Sequence, residues 1–174
     1  MRKLLYWFTG LLPCRIISDN NTPYLERYYL CSLLGIRFYV HRFVGSDPVR
    51  GLHDHPWVWA ASLILSGWYY EENRYGIRRV RWVNWLTGNT FHRVILPTDT
   101  NEKIPGHKYP SEVWTLFFHQ ANYAKPWGFL SPTELPSSFN WTPYDYSKKG
   151  TGIPKSWWLR APIGKNEPGR KARA

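Results

Sequence analysis

The segment GLHDHPWVWAASLILSG, residues 51–67, decides how this chain is interpreted. His53 and His55 stand one residue apart between two glycines, and an apolar run follows them. On an extended chain, residues two apart project to the same side, so both imidazoles can reach one ion. The alternative at this point is a buried strand that carries two unrelated histidines.

A third histidine follows one hairpin later, in the segment FHRVILP at residues 91–97. In an antiparallel barrel this strand can lie beside the first, so that His92 projects into the same cavity. Three neutral imidazoles offer a nitrogen face that suits Fe, Zn, Ni or Cu and leaves coordination positions open for water or substrate. The three histidines are therefore candidate metal ligands.

The rest of the chain consists of short strand-like segments separated by turns. Aromatic residues make up 18% of the sequence, and 14 Pro and 13 Gly are scattered along it, which is typical of an all-β protein with many turns. Strands are predicted at 37–43, 57–65, 68–72, 77–85, 91–97 and 112–120, whereas 24–34 fits either a short helix or an edge strand. This spacing, without a βαβ pattern, favours a single-domain jelly-roll barrel.

The order of these features resembles the two sequence motifs of the cupin superfamily. That order is a glycine, His-x-His, an apolar strand, a glycine, a hairpin, and then Gly88 and His92. The resemblance covers about residues 37–120 and implies a small barrel that holds a metal inside. We accordingly expect an N-terminal segment packing on the barrel at 1–36, the cupin barrel at 37–135, and a Pro-rich basic extension at 136–174.

The chain departs from the motifs at three positions. Ala60 stands where the family carries a glutamate, Leu86 replaces the usual proline, and Gly88 precedes His92 by four residues rather than three. Loss of the glutamate leaves three histidines as the ligands that match the family. Thiol dioxygenases of the cysteine dioxygenase type also lack it and hold Fe(II) with three histidines, and the His-Arg-Val sequence at residues 92–94 is similar to theirs. A group of bacterial and phage cupin-like proteins with HDHPW, HRV and VWTL segments is similar as well.

Other polar residues are candidates for the same pocket. Strand alternation could turn His41, Tyr39 and Thr115 toward the cavity, as well as His119, and Glu112 could replace the missing carboxylate. Glu71 and Glu72 are also candidates, but their position next to a turn favours a solvated role. Arg93 is expected to point away from His92, and His107 in a loop carries no signal.

The charge is strongly basic, at +11, and it is concentrated at the C-terminus. From Thr142 onward there are eight basic residues and two acidic ones. We expect the polar stretch beyond about Lys165 to be mobile and dispensable for folding. No apolar run is long enough to span a bilayer, and the N-terminal stretch lacks a cleavage site, so a cytoplasmic protein without membrane contact is predicted.

Three functional hypotheses follow. The first is an enzyme, most simply a three-histidine non-haem metalloenzyme of the Fe(II) oxygenase type that acts on a small molecule, with Zn or Ni as alternative metals. The second is a non-catalytic cupin that binds a small ligand or a carbohydrate, stacked on Trp57, Trp59, Trp68 or Trp82. The third is a basic protein associated with nucleic acid, based on RRVRWVNW and the basic tail. A homodimer is implied by the resemblance alone.

Overall fold

The computed structural model describes residues 1–99, 112–133, 138–145 and 156–172. Within these ranges the chain forms one α-helix and twelve β-strands, with short 3₁₀ turns at Pro97–Asp99, Trp157–Leu159 and Gly164–Asn166. No helix in the described ranges is long and apolar enough to cross a membrane. The elements are α1 (Arg2–Thr9), β1 (Cys14–Asp19), β2 (Thr22–Leu33), β3 (Ile36–Phe43), β4 (Leu52–His53), β5 (Trp59–Ser66), β6 (Tyr69–Asn73), β7 (Gly76–Val80), β8 (Val83–Thr87), β9 (His92–Ile95), β10 (Val113–Gln120), β11 (Gly128–Pro132) and β12 (Phe139–Pro143).

The strands form two six-stranded antiparallel sheets. The first sheet has the order β1-β2-β3-β10-β5-β8, and the second has the order β12-β11-β4-β9-β6-β7. Consecutive strands repeatedly change sheet, as they do in a jelly roll. The predicted all-β jelly-roll class is therefore confirmed, although the two sheets do not close into one continuous barrel.

The first sheet is covered on both faces, which explains why its central strands are so apolar. On β3, Tyr39 and Phe43 belong to the inner clusters between the sheets. Val40 alternates with them and packs outward with Tyr28 and Trp114, against residues of α1 and the loop that follows it. A strand buried on both faces lacks the polar alternation of a half-exposed one.

The structure decides two local predictions, those for residues 24–34 and for the hairpin after Gly67. Residues 24–33 are strand, within β2, so the helix alternative is wrong and the strand alternative is right; β1 covers the outer side of β2, so it is not an edge strand. The hairpin predicted after Gly67 is confirmed for β6 and β7. Its second arm is shorter than predicted, because the chain turns after Val80 and β8 pairs with β5 in the other sheet.

The C-terminal segment packs against the outer face of the first sheet. Arg170 donates hydrogen bonds to the hydroxyl of Tyr28 at 2.8 Å and to the hydroxyl of Thr9 at 3.0 Å. The backbone N–H of Lys171 donates to Glu26 at 2.7 Å. The prediction of a mobile tail is thus wrong for the described residues up to 172, because basic side chains find buried acceptors that composition does not reveal. The division of the chain at residues 36 and 135 stays a prediction.

Candidate metal centre

The three histidines predicted from the motif converge between the two sheets. His53 ends β4 and is paired directly with His92 at the start of β9, while His55 lies two residues further along the chain. One ring nitrogen of each residue can be chosen so that all three lie within 4.8 Å of one another. The shortest approach joins Nε2 of His55 to Nε2 of His92, at 2.9 Å.

The approach of His55 to His92 has the separation expected of two ligands of one metal ion, which is also the distance of a hydrogen bond between the two rings. Two imidazole nitrogens that each bind one ion at about 2.1 Å, roughly at right angles, are about 3.0 Å apart. The 2.9 Å contact between His55 and His92 agrees with that separation. Burial lowers the pKa of His53 and of His55 well below the ordinary value, and neighbouring positive groups lower it further. Both rings are therefore neutral, which is the form that binds metal.

Glu71 holds the ring of His92 from the far side. The side chain is only 1% exposed, and its Oε1 accepts a hydrogen bond from Nδ1 of His92 at 2.9 Å. Asn84 and Arg78 also donate to this carboxylate. Burial alone would raise the pKa of Glu71, but its contacts with His92, Asn84 and Arg78 outweigh burial and lower the pKa to about 2. The carboxylate therefore stays ionised, and the solvated role expected for Glu71 is wrong.

Two aspartates fix the segment that carries the first two histidines. Asp54 is fully buried between them, where it accepts hydrogen bonds from the backbone N–H of Gly128 and from Nζ of Lys125, both at 2.6 Å. Asp47 accepts from the backbone N–H of Val94 at 2.7 Å, and its Oδ2 lies 4.0 Å from Nδ1 of His53. Sequence reasoning missed both residues, because Asp47 stands in a turn-like segment and Asp54 alternates away from the histidines.

A cavity of about 220 Å³ opens beside the three histidines. Aromatic side chains make up much of its wall, together with His41, three arginines and Asp47. Trp57 stacks on His55 with ring centroids 4.8 Å apart and on His119 at 3.9 Å. The site thus joins a nitrogen cluster to a largely apolar chamber, which is the usual composition of a small-molecule site.

The additional pocket candidates are only partly brought together. His41 lines the cavity, as expected from strand alternation. Tyr39 and Thr115 are buried on the same face of the first sheet but are not among the described residues that line the cavity. Glu112 lies on the opposite face, where it pairs with Arg42 and accepts from the indole N–H of Trp114 at 2.9 Å. The prediction that Glu112 replaces the missing carboxylate is therefore wrong, because its side chain lies on the outer face of the first sheet.

The remaining candidates lie outside the site. Glu72 pairs with Arg93 across β6 and β9, so Arg93 does point away from the histidines. Of the four tryptophans considered for sugar binding, Trp57 lines the cavity. Trp59 stacks on Trp85, and Trp68 packs against the guanidinium of Arg79. Trp82 is 76% exposed. A sugar-stacking surface built from all four tryptophans is not formed. His107 lies outside the described residues.

Comparison with solved structures identifies the fold. The sequence matches no protein-family model, and no curated protein matches it. A cupin-2 domain of Rhodospirillum rubrum superposes with a TM-score of 0.51 at 17% identity, over 71% of this chain and 76% of that one. A cupin 2 conserved barrel domain protein of Rhodopseudomonas palustris has a TM-score of 0.48 at 14% identity, over 71% and 77%.

This chain has a cupin fold. Ala60, at the position where the resemblance to the first cupin motif leads us to expect a glutamate, is packed among Trp57, Leu86 and Phe117. Within the described ranges, the three histidines are the group of His, Cys, Asp and Glu side chains that could hold an ion. The cupin fold of this protein therefore carries a three-histidine cluster that can accommodate a divalent metal.

Proposed function

We propose that this protein binds a divalent metal ion through His53, His55 and His92 and is a non-haem metalloenzyme that acts on a small molecule. The observation that carries the proposal is the convergence of ring nitrogens of all three histidines within 4.8 Å, with His55 and His92 closest, at 2.9 Å. When two neutral imidazoles bind the same ion, their unprotonated nitrogens lie this close to each other. The metal we propose is Fe(II), with chemistry of the oxygenase type; Zn and Ni are the alternatives that the same donor set allows.

The ring of His92 is oriented for this role by Glu71. Because Nδ1 of His92 donates to an ionised carboxylate, its proton is held there and Nε2 keeps its lone pair. The same arrangement supports metal-binding histidines in many proteins and strengthens the ligand. His53, His55 and His92 would hold the ion beside the cavity, and the ion would supply oxygen-activating or Lewis-acid chemistry there.

The cavity gives such an enzyme an enclosed place for its substrate beside the metal. Its wall includes Trp57, Phe117 and Phe129, which exclude water from the reacting atoms, and polar groups that can orient a ligand. The volume of about 220 Å³ suits a compact metabolite rather than a polymer. For that reason we favour a small-molecule substrate over a carbohydrate chain or a nucleic acid.

Metal analysis tests the proposal. Protein purified without added metal is expected to contain close to one divalent ion per chain, and His55→Ala and His92→Ala should each lose most of it. His41→Gln is the matched control, because His41 lies in the cavity wall but its Nε2 is occupied by Arg27. Iron in the wild type, with oxygen uptake on addition of substrate candidates, supports the oxygenase class. Metal-free wild-type protein that also fails to take up Fe(II), Zn(II) or Ni(II) overturns the proposal and favours a binding module. The homodimer and the cytoplasmic location stay predictions.

A further inference from the structure

Helix α1 presents an exposed apolar stripe on one side. Its members follow the spacing i, i+3, i+4 and i+7, which places side chains on the same side of a helix. The last member lies in the turn that continues α1, where the backbone N–H of Leu11 donates to the carbonyl of Phe8 at 3.0 Å. The stripe consists of Leu4, Trp7, Phe8 and Leu11, which are between 38% and 66% exposed.

The opposite side of α1 already anchors the helix to the fold. Leu5 and Tyr6 pack against the outer cluster of the first sheet, which includes Trp114. Thr9 is fully buried, and its hydroxyl donates to the carbonyl of Leu5 at 2.7 Å. The exposed stripe is therefore additional to the side that faces the core. A helix that is apolar on both sides needs a second apolar environment, and a cluster of exposed apolar side chains usually marks an interaction site.

The layer that carries the stripe is basic. Arg2 and Lys3 stand in the first turn of α1, and the helix contains no acidic residue. Residues 162–172 pack beside it, where the backbone N–H of Lys165 donates to the carbonyl of Gly10 at 2.9 Å. Together, α1 and residues 162–172 contain five basic residues, Arg2, Lys3, Lys165, Arg170 and Lys171, and one acidic residue, Glu167. The partner of this layer should therefore combine an apolar region with negative charge.

An anionic lipid bilayer meets both requirements. A second copy of the chain would cover the stripe but would bring two basic layers together, and like charges across an interface repel. We propose that α1 lies on the surface of a bilayer that contains anionic lipids, with the stripe inserted at the boundary of headgroups and acyl chains and the basic residues at the headgroups. Tryptophan and leucine on one side of a helix, with basic residues beside them, are typical of helices that lie in this interface.

The length of α1 agrees with a position on the surface rather than across the bilayer. Its eight residues extend about 12 Å, whereas a helix that crosses needs roughly 20 residues. The sequence-based expectation of no membrane contact considered only segments that cross the bilayer or are cleaved, and a surface helix is neither. This membrane surface is separate from the cavity and does not depend on the metal.

Flotation of the full chain with lipid vesicles tests this surface. The probes are vesicles of phosphatidylcholine alone and vesicles of phosphatidylcholine mixed with phosphatidylglycerol, which is anionic. Wild type should bind the mixed vesicles about tenfold more tightly than the neutral ones, and rising salt should weaken this binding because it screens the charges. Trp7→Gln should weaken binding to the mixed vesicles about tenfold, because it removes the largest side chain of the stripe. Lys3→Gln should weaken it about fivefold, which is the usual contribution of one lysine near an anionic surface.

Trp141→Gln is the matched control, because Trp141 is an exposed tryptophan on β12 of the second sheet, whereas α1 packs on the first. Leu11→Gln offers a second variant of the stripe if Trp7→Gln fails to fold. No binding of wild type to the mixed vesicles, equal binding to both kinds of vesicle, or equal binding of Trp7→Gln and Trp141→Gln overturns the membrane surface. Sedimentation velocity without lipid identifies the alternative occupant. A wild-type dimer that Trp7→Gln converts to a monomer means that a second copy covers the stripe, and this result also overturns the membrane surface.

Discussion

Glu71 accepts a hydrogen bond from Nδ1 of His92 at 2.9 Å, although the two residues lie on different strands and are 21 positions apart. The contact is diagonal across β6 and β9, since Glu71 is paired with Val94 and His92 with Asn73. Asn84 donates to the same carboxylate from the other sheet. The carboxylate thus links a candidate ligand to the packing of both sheets.

Glu71→Gln is expected to weaken metal binding about 10- to 100-fold, which is the usual effect of removing the carboxylate behind a metal-binding histidine. The amide keeps the size of the side chain but loses its charge, so Nδ1 of His92 is held less firmly. Competition with a metal-sensitive dye measures the change. Glu72→Gln is the matched control, because Glu72 pairs with Arg93 instead. Equal affinities for both variants would contradict the role given to Glu71.

The positions of the three metal-ligand candidates could be predicted from sequence, but those of their supporting residues could not. Spacing along one chain shows that His53 and His55 share a side, and the strand order suggests where His92 returns. Which residue of β6 reaches His92 depends on the register between strands, and no local pattern encodes it. The place of Arg27 in the cavity wall was missed for a related reason, since its segment fitted a helix as well as a strand and the direction of its side chain was undetermined.

The prediction of a mobile C-terminal segment was wrong for another reason. Its composition is polar, and polar segments are usually mobile because they have no apolar surface to bury. Here the gain comes instead from charge-assisted hydrogen bonds to buried acceptors, such as that of Arg170 with Tyr28 and that of Lys171 with Glu26. Those acceptors lie more than 140 positions away in the chain, so only the folded structure reveals them.

Arg170→Met is expected to lower the free energy of unfolding by about 2–3 kcal/mol. The variant removes hydrogen bonds to Tyr28, Thr9 and the carbonyl of Tyr6, and charge-assisted bonds contribute about 1.5–3 kcal/mol each before compensation. The melting temperature should fall by roughly 4–12 °C for a chain of this size. Arg160→Met changes an exposed arginine of the same segment and should stay within about 0.5 kcal/mol of wild type. A melting temperature for Arg170→Met that equals that of the control would show that the segment contributes nothing to folding.

His119 makes the stability of the fold depend on pH. Burial lowers the pKa of this histidine to about 3. The hydrogen bond to the backbone carbonyl of Gln120 raises the pKa and so offsets part of this effect, whereas nearby arginines lower it further. The unfolded chain, with an ordinary pKa near 6.5, binds the proton more readily. The stability that comes from keeping His119 neutral is therefore complete above about pH 6.5 and is lost as the pH falls toward 3.

Urea unfolding of metal-free protein at pH 7 and pH 5 measures this dependence. Each pH unit below 6.5 costs about 1.4 kcal/mol per histidine of this kind, so His119 alone accounts for about 2 kcal/mol at pH 5. His119→Phe should lose that part of the pH dependence while keeping a ring against Trp57. Burial also lowers the pKa of His41, His53 and His55, so most of the acid destabilisation of the metal-free protein should remain in the variant. Identical pH dependence of wild type and variant would contradict a buried, neutral His119.

Ala60→Glu restores the carboxylate of the cupin motif, and we expect it to destabilise this protein rather than to add a ligand. Ala60 is 2% exposed, packs among Trp57, Leu86 and Phe117, and is not among the described residues that line the cavity. A carboxylate placed there is buried without a partner, which costs several kcal/mol or forces it to take up a proton.

Ala60→Gln separates charge from size at this position. Both variants overfill the same apolar cluster, so the excess destabilisation of Ala60→Glu at pH 7 measures the cost of the buried charge. If the carboxylate does not reach the ion, saturating Zn(II) should raise the melting temperatures of wild type and of both variants by equal amounts. A larger rise for Ala60→Glu alone would mean that the new carboxylate binds the metal, because the stabilisation by a bound ligand grows with the logarithm of its affinity for the native state. Leu86 and Trp57 would then have to move aside, and the three-histidine centre would be one substitution away from the four-ligand form.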